Sequence, residues 1–286
     1  VTIYRGDTLE AAKLGTNPGP TSSAQRPFQI QFNVGDIVAV NGKPAKGLWN
    51  IWSIPIVFST NPVPGQGIAD LNGSQAWVCQ FHILQADGTY VGSLADVGSN
   101  SVPYHSLISG TGAFFGVIGE HHQLESLRPA RGASMSEDPA NRRIHGGGAW
   151  RTEVVLYPKF RPGVQMTPGG PAIFHADDFS PVTAERPARR GERLIVRATG
   201  LGPVKPGLGL PGAKPFSRDP LQEVNSPVTV MLNGRELPAI NKIGWPGETS
   251  VYRVDFEVPG DVPAGAASIQ LVAAWIPGPS VTIPVR

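Results

Sequence analysis

Apolar and polar positions alternate along most of the chain in short stretches. In residues 193–199, Leu194, Val196 and Ala198 fall on one side of an extended backbone and the intervening side chains on the other. No apolar repeat with the period of a helix continues for more than two turns. The pattern therefore predicts an all-β protein. Its expected strands lie within residues 1–6, 28–40, 48–58, 74–84, 89–94, 107–123, 149–157, 193–199, 228–232, 252–256, 269–273 and 281–285.

Breaks in this pattern divide the chain into four segments. Glycine and proline account for 35 and 29 of the 286 residues, which favours many turns between short strands. We predict an extended arm at residues 1–26, a first β domain at 27–160, a linker at 161–170 and a second β domain at 171–286. In the first domain, about 130 residues without a helix favour a closed barrel over an open sandwich.

The glycine-rich stretch LISGTGAFFGVIG, at residues 107–119, carries a first resemblance. With its surroundings it resembles dirigent proteins and related barrels of the allene-oxide-cyclase type. This resemblance implies an eight-stranded antiparallel barrel that binds an apolar small molecule and steers its coupling or cyclisation. The polar segment 126–148 departs from that family. The other matching features, in order, are GQGIA at 65–69, the strand at 77–84, the turn at Gly88 and the closing strand at 150–157.

The second domain carries a longer resemblance. The stretch PAIFHADDFSPVTAERPARRGERLIVRATGLGPVKPG at residues 171–207 is followed by PVTVMLNGRELPA, YRVDFEVPGDVPAG and VTIPV. In this order they resemble the immunoglobulin-like C-terminal domain of secreted acidobacterial proteins, which implies a β-sandwich. The residues themselves agree, because strands recur every 10–20 positions and a hairpin turn is expected at Asn233-Gly234.

Charge and cysteine content exclude several classes of protein. The chain carries 24 basic and 22 acidic side chains, which is too balanced to predict a nucleic-acid or anionic-membrane surface. Its single cysteine, Cys79, excludes an internal disulfide and is predicted to be a buried, inert thiol. No run of about 18 apolar residues occurs, so we expect no membrane span. The start at Val1, without Met or a signal peptide, is what processing of a secreted protein would leave.

Glu120 and His122 are the candidate acid–base pair. Alternate residues of a strand share a face, so these two side chains are expected to lie together while His121 faces the opposite side. A polar strand end near the barrel rim would explain the same residues. His145 has no partners at metal-ligand spacing, and Ser109 lacks the surroundings of a nucleophile. We therefore predict no metal and no cofactor, and the sequence favours a role other than catalysis.

Aromatic residues offer two further candidate binding surfaces. Those of the first domain would either line a cavity for a small apolar ligand or fill the barrel interior. In the second domain, Trp245 and Trp275 are expected to be exposed, as in modules that bind glycans. The aromatic residues concerned in the first domain are Trp49, Trp52, Phe58 and Trp77.

The amino-terminal arm combines a short strand with a segment that cannot form a core. Val1, Thr2, Ile3 and Tyr4 begin the strand-like stretch, whereas residues 15–26 are rich in Pro, Gly, Ser and Thr. An arm of this composition is ordered only where a surface holds it. That surface is either its own chain or the sheet edge of a neighbouring subunit, to which the arm would add a strand.

These features lead to three functional hypotheses. The first is a secreted, extracellular or cell-surface structural protein that forms a homo-oligomer or polymer, such as a filament, through Val1, Thr2, Ile3 and Tyr4. The second is a dirigent-like or cyclase-like barrel for an apolar small molecule, with Glu120 assisting. The third is a glycan- or surface-binding module.

Overall fold

The computed structural model describes residues 2–11, 16–17, 28–29, 31–57, 73–99, 104–128, 131–133, 148–207 and 214–286. The fold is all-β, as the alternating pattern predicts, and no helix occurs in these residues. The chain forms two compact units. The first comprises Val1–Thr111 and Gly116–Tyr157, and the second comprises Gly112–Phe115 and Pro158–Arg286.

The described residues of the first unit form eleven strands, and nine of these build one sheet that is curled into a half-barrel. The order across this sheet is β10-β1-β11-β9-β8-β7-β6-β5-β4, and β2 pairs separately with β3. The strands are β1 (Thr2–Ala11), β2 (Thr16–Asn17), β3 (Phe28–Gln29), β4 (Gln31–Val40), β5 (Lys43–Val57), β6 (Gly73–Gln85), β7 (Tyr90–Ser99), β8 (Tyr104–Gly112), β9 (Ile118–Arg128), β10 (Arg131–Ala133) and β11 (Gly148–Tyr157).

The amino-terminal strand β1 has paired strands on both of its sides. It runs antiparallel to β4 from Ile3 to Ala11 and antiparallel to β11 from Thr2 to Thr8. Beyond Thr8 its second side pairs with β10 in parallel. The first residues of the chain therefore lie inside the sheet order and join its β11 side to β4.

Alternation along each strand sends one set of side chains into the interior of the curled sheet. Trp49, Phe81, Ile83, Leu94 and Val154 are buried there, the first with 2% of its surface exposed and the others with 1% or less. The register agrees, because Trp49 lies opposite Phe81 and Phe81 opposite Leu94 on neighbouring strands. Burial of such side chains contributes roughly 1.5–3 kcal/mol each.

The prediction of one strand over residues 107–123 was wrong. The segment reverses between β8 and β9, which pair with each other as an antiparallel hairpin. Gly112 and Gly116 adopt φ of +62° and +74° at the reversal, a conformation that glycine adopts without the strain of a Cβ. The glycine-rich stretch 107–119 thus includes two glycines that bend the chain.

Strands of the second unit form a seven-stranded sheet, a four-stranded sheet and the pair β13–β14. The larger sheet has the order β12-β16-β22-β21-β18-β17 with β15 also on β16, and the smaller has the order β20-β19-β23-β24. These strands are β12 (Gly163–Val164), β13 (Met166–Thr167), β14 (Gly170–Pro171), β15 (Ile173–His175), β16 (Arg193–Thr199), β17 (Val204–Lys205), β18 (Glu223–Val224), β19 (Val228–Leu232), β20 (Arg235–Pro238), β21 (Asn241–Gly244), β22 (Val251–Glu257), β23 (Gly265–Ala273) and β24 (Ile276–Val285).

Both sheets of the second unit contribute to one apolar cluster. Leu194 and Phe256 come from the larger sheet, and Val230 and Ile269 come from the smaller one. Each of these four side chains is fully buried. The cluster explains why alternating apolar positions occur in strands of both sheets.

Two local expectations for the second unit can be compared with the structure. The hairpin at Asn233-Gly234 is confirmed, since β19 pairs with β20 and the two turn residues have φ of +49° and +80°. The segment expected to be a linker, 161–170, instead contains β12 and β13, and β12 pairs with β16. Part of that segment therefore belongs to the larger sheet.

Candidate functional site

Four consecutive strands of the half-barrel, β6 to β9, each bring one polar side chain to the buried face. The side chains are Cys79, Asp96, His105 and His121, and their exposed fractions are 0%, 0%, 4% and 1%. Cys79 lies directly opposite Asp96 across β6 and β7, and His105 lies opposite His121 across β8 and β9. The register of two strand pairs therefore gathers these side chains at one level of the sheet.

The Asp96 carboxylate is the centre of this cluster. Nδ1 of His105 lies 3.0 Å from Oδ1, and Nδ1 of His121 lies 2.9 Å from Oδ2, so each imidazole donates to a different oxygen. Sγ of Cys79 lies 3.9 Å from Nδ1 of His105. One ligand-type atom from each of the four residues lies within 4.8 Å of all the others.

Aromatic rings and a glycine fix the positions of the two imidazoles. Trp77 packs edge-on to His105 with ring centroids 4.8 Å apart, and Phe81 packs edge-on to His121 at 5.1 Å. At Gly98 on β7, an added Cβ would lie 2.5 Å from Cδ2 of His105. The absence of a side chain at Gly98 therefore provides the space that the His105 ring occupies.

Opposing effects act on the pKa of Asp96. Burial is the largest single effect and raises it, because the charged form loses its hydration. The hydrogen bonds from His105 and His121, together with their electrostatic attraction, outweigh burial and lower the pKa to about 2. Asp96 is therefore ionised at neutral pH and acts as a hydrogen-bond acceptor.

The cluster does not have the geometry of a cysteine nucleophile with its base. In such a triad the histidine presents one ring nitrogen to the thiol and the other to the carboxylate. Here Sγ of Cys79 and Oδ1 of Asp96 approach the same atom, Nδ1 of His105. With at most 4% exposure, none of the four side chains is open to a substrate. Convergence of donor atoms on one point is instead the geometry of a small-ion site.

Sequence reasoning missed Asp96 and His105, and it interpreted Cys79 as a buried, inert thiol rather than as part of a polar cluster. The burial of Cys79 is confirmed, and His121 does face away from Glu120 and His122. The sequence contains a signal for Asp96. It stands two positions after Leu94, where the alternation of the strand would place another apolar, inward-facing residue. A charged residue at an inward position needs buried partners, but the alternation does not say which.

The structure brings the predicted pair Glu120 and His122 together on the outer face of β9. Nε2 of His122 lies 2.8 Å from Oε2 of Glu120, and the two side chains are 25% and 51% exposed. Tyr104 packs against His122 with ring centroids 5.3 Å apart. The two residues share no contact with the buried cluster that the structure describes.

Three of the four predicted assembly residues lie in β1. Thr2 pairs with Glu153 of β11, while Ile3 and Tyr4 pair with both β11 and β4. Val1 lies outside the described residues. Within the predicted arm, β1 is thus paired along both sides of its backbone rather than at one sheet edge.

Outcomes differ among the remaining candidates. Trp49 is buried as a core residue, whereas Trp52 is 37% exposed and does not fill the interior. Trp245 and Trp275 were expected to be exposed, which was wrong, because both are half-buried. The guanidinium of Arg197 covers the Trp245 ring at 5.2 Å. Ser109 is exposed on β8, whereas Phe58 and His145 lie outside the described residues.

Comparisons of the chain with models of protein families, with curated proteins and with solved structures found no match. Among the described residues, no helix is long and apolar enough to cross a membrane.

Proposed function

We propose that this protein is a secreted or cell-surface structural subunit that self-associates through its amino-terminal strand. The observation that carries the proposal is the pairing of β1 with β4 on one side and with β11 and β10 on the other. A strand paired in this way occupies a slot between β4 and β11 that has the same chemistry in every copy of the chain.

Strand exchange would convert these internal contacts into contacts between subunits. When β1 of one copy occupies the slot of another, every backbone hydrogen bond of the slot is retained. The donor copy keeps an empty slot of its own for the next subunit, so the contact is head-to-tail and generates a chain. Residues 12–30 connect β1 to β4, and the β2–β3 pairing within them would have to open before they could reach a neighbouring copy at roughly 3.3 Å per extended residue.

Exposed apolar side chains on the half-barrel support association. Tyr157 lies opposite Ile118 on neighbouring strands, and these two side chains are 56% and 58% exposed. Large apolar side chains that remain in water favour contact with another surface. The small net charge of +2 opposes such contact only weakly. Other exposed apolar residues of this unit are Val38, Leu48, Trp52, Tyr90, Val97, Tyr104, Ile108 and Leu124.

The proposal includes a finer account of each fold. Pairing of β1 with both ends of the run from β4 to β11 supports an eight-stranded, dirigent-like barrel. The apolar cluster shared by two antiparallel sheets supports an immunoglobulin-like sandwich for the second unit. In this account the first unit polymerises and the second unit is presented along the polymer.

The two other hypotheses gain less from the described residues. A cyclase-like barrel needs an open, lined cavity with an acid that assists, but Glu120, the acid expected to assist, lies on the outer face of β9 and is 51% exposed. A glycan-binding face needs exposed rings, but Trp245 and Trp275 are half-buried. Neither hypothesis has an observation of its own that is comparable to the position of β1.

The proposal is tested by comparing the intact protein with a variant that lacks residues 1–26. Size-exclusion chromatography with light scattering and negative-stain electron microscopy should show ordered polymers of the intact protein. The truncated variant should remain monomeric. A synthetic peptide of residues 1–11 should bind the truncated variant and, added in excess, should shorten polymers of the intact protein. A peptide with the same composition in scrambled order is the control.

Monomers of the intact protein at every concentration tested would overturn the proposal. Polymers that persist without residues 1–26 would also overturn it, since the connection would then lie elsewhere.

A further inference from the structure

We propose that Cys79, Asp96, His105 and His121 form a closed site for one divalent metal ion of the zinc type, which cross-links strands β6 to β9. The inference is independent of self-association, because it concerns the interior of a single half-barrel. It rests on the identity, spacing and burial of these four side chains.

The set of donor atoms fits zinc. A thiolate, two imidazoles and a carboxylate are the ligand types that zinc takes in tetrahedral sites, whereas calcium and magnesium take oxygen ligands. With bond lengths of about 2.0–2.3 Å, a tetrahedral site separates neighbouring ligand atoms by roughly 3.3–3.6 Å. The distances of 2.9, 3.0 and 3.9 Å around Asp96 and His105 lie on both sides of this range. One oxygen of Asp96 and the other three ligand atoms lie within 4.8 Å of one another, so side-chain rotation must draw them together before all four reach coordination distance.

Charge within the half-barrel also favours a divalent ion. Asp96 contributes one negative charge, and Cys79 contributes a second when its thiol ionises on binding. Two neutral imidazoles leave a divalent ion balanced, so the filled site has no net charge. Its surroundings include Ile51, which lies opposite Cys79, and the ring of Phe81. A metal-filled site without net charge suits these apolar surroundings better than a site that carries the negative charge of Asp96 alone.

Proton transfer on binding is fixed by the same geometry. The Nδ1 atoms that now donate to Asp96 would become ligands, so each neutral imidazole would carry its proton on Nε2 instead. The Cys79 thiol would release one proton to solvent. No oxidation or reduction is involved.

Burial assigns the ion a structural role. Every ligand is at most 4% exposed, so the site has no open position for a substrate, as in structural zinc sites. One ligand comes from each of four neighbouring strands, so the ion would hold four strands together where a hydrogen-bond ladder joins them only in pairs.

Metal content of the intact protein provides the first test. Protein incubated with zinc sulfate and a reductant, and then dialysed, should retain about one zinc per chain by mass spectrometry. Replacement of zinc by cobalt should produce a thiolate-to-cobalt charge-transfer band in the near ultraviolet. Because the chain has one cysteine, that band identifies Cys79 as a ligand without any substitution.

Variants then assign the other ligands. Cys79→Ser should abolish the charge-transfer band and weaken zinc binding at least tenfold, since changes even to residues behind the ligands cost about 10–100-fold. His121→Gln should weaken zinc binding to a similar extent. The matched control is His122→Gln, which alters the next residue on β9 but faces outward, and its zinc binding should equal that of the wild type.

The proposal is overturned if the wild-type protein retains no zinc, or if it binds cobalt without the charge-transfer band. Equal zinc binding by wild type and a Cys79→Ser/His121→Gln double variant would also overturn it. If a variant fails to fold, the cobalt spectrum of the wild type decides the question alone.

Discussion

Asp96 shows how a single residue departs from the pattern of its strand. Leu94 is buried two positions earlier on β7, and Asp96 takes the next inward position with no exposed surface. A lone buried carboxylate would destabilise the fold by several kcal/mol. Hydrogen bonds from two histidines offset that cost and keep the carboxylate ionised. The surrounding residues therefore determine whether an acid is tolerated at this position.

Tyr252 gives a prediction at the same scale. Burial raises its pKa above the ordinary value of 10, and its hydroxyl donates to the Gly202 carbonyl at 2.6 Å. In the folded protein Tyr252 should stay protonated at pH 11. Tyr252→Phe should therefore leave the tyrosinate absorbance gained between about pH 9 and 11 unchanged. Unfolding at pH 11 should in contrast add more tyrosinate absorbance to the wild type than to Tyr252→Phe, because the Tyr252 proton is released only when the chain unfolds.

The sign of the linked stability follows from the same shift. Above pH 10 the unfolded chain loses the Tyr252 proton while the folded chain keeps it, so the free energy of unfolding falls as pH rises, by up to about 1.4 kcal/mol per pH unit. Below pH 10 this residue contributes no pH dependence. Equal gains of absorbance on unfolding at pH 11 in the wild type and in Tyr252→Phe would contradict the account of Tyr252.

Alternation in the sequence predicts the direction of single side chains but not their partners. It correctly places Cys79 in the core and His121 on the face opposite to His122. The meeting of Cys79 with Asp96 and of His105 with His121 depends on the register between strands. Register is set by turns and by the packing of many residues, so it is not encoded in any one stretch.

At the scale of single elements, the backbone conformation of a turn determines which residues it accepts. Two glycines of the second unit allow a matched test of this effect on stability. Gly234 has φ of +80° in the β19–β20 hairpin, whereas Gly260 lies in a turn without positive φ. An added Cβ meets nothing within 4 Å at either residue. Gly234→Ala should therefore lower the free energy of unfolding by about 1 kcal/mol through backbone strain alone. Gly260→Ala should raise it by about 0.4–1 kcal/mol.

Urea unfolding of the two glycine variants beside the wild type measures both effects. The wild type is the common reference, and circular dichroism confirms that each variant keeps its strands. Equal stabilities of Gly234→Ala and Gly260→Ala would show that backbone conformation does not control this hairpin.

The presence of a strand was easier to predict than the residue at which it ends. The hairpin at Asn233-Gly234 follows from a local signal, since these residues favour the left-handed turn that joins two strands. The reversal between β8 and β9 was missed, because apolar residues continue through it and its glycines were interpreted as part of a strand. Local composition specifies a turn only where the flanking pattern also stops.

At the scale of the whole molecule, the position of β1 is the feature with the widest consequence. The sequence predicts that an arm of this composition needs a surface, and pairing with β4 and β11 provides one. The contacts are the same whichever copy of the chain supplies the strand. The outcome therefore depends on the effective concentration of a chain's own β1 at its slot compared with the concentration of other chains. No local sequence pattern contains that information.

Cysteine cross-linking between β1 of one chain and β4 of another tests self-association most directly. Tyr4 of β1 and Ala39 of β4 are paired residues. The Cα atoms of an antiparallel pair lie about 4.5–5.5 Å apart, which is within the range of a disulfide. Tyr4→Cys and Ala39→Cys are introduced into separate chains, which are refolded together and oxidised, while the fully buried Cys79 stays inert. The control replaces Ala39→Cys with Gln80→Cys, an exposed position on β6, which does not pair with β1.

The account predicts a covalent dimer that contains one chain of each variant, and a ladder of longer species when both cysteines are in one chain. The control should give neither product. A mixture that remains monomeric, together with closed monomers of the double variant, would show that β1 pairs within its own chain and would contradict self-association through this strand.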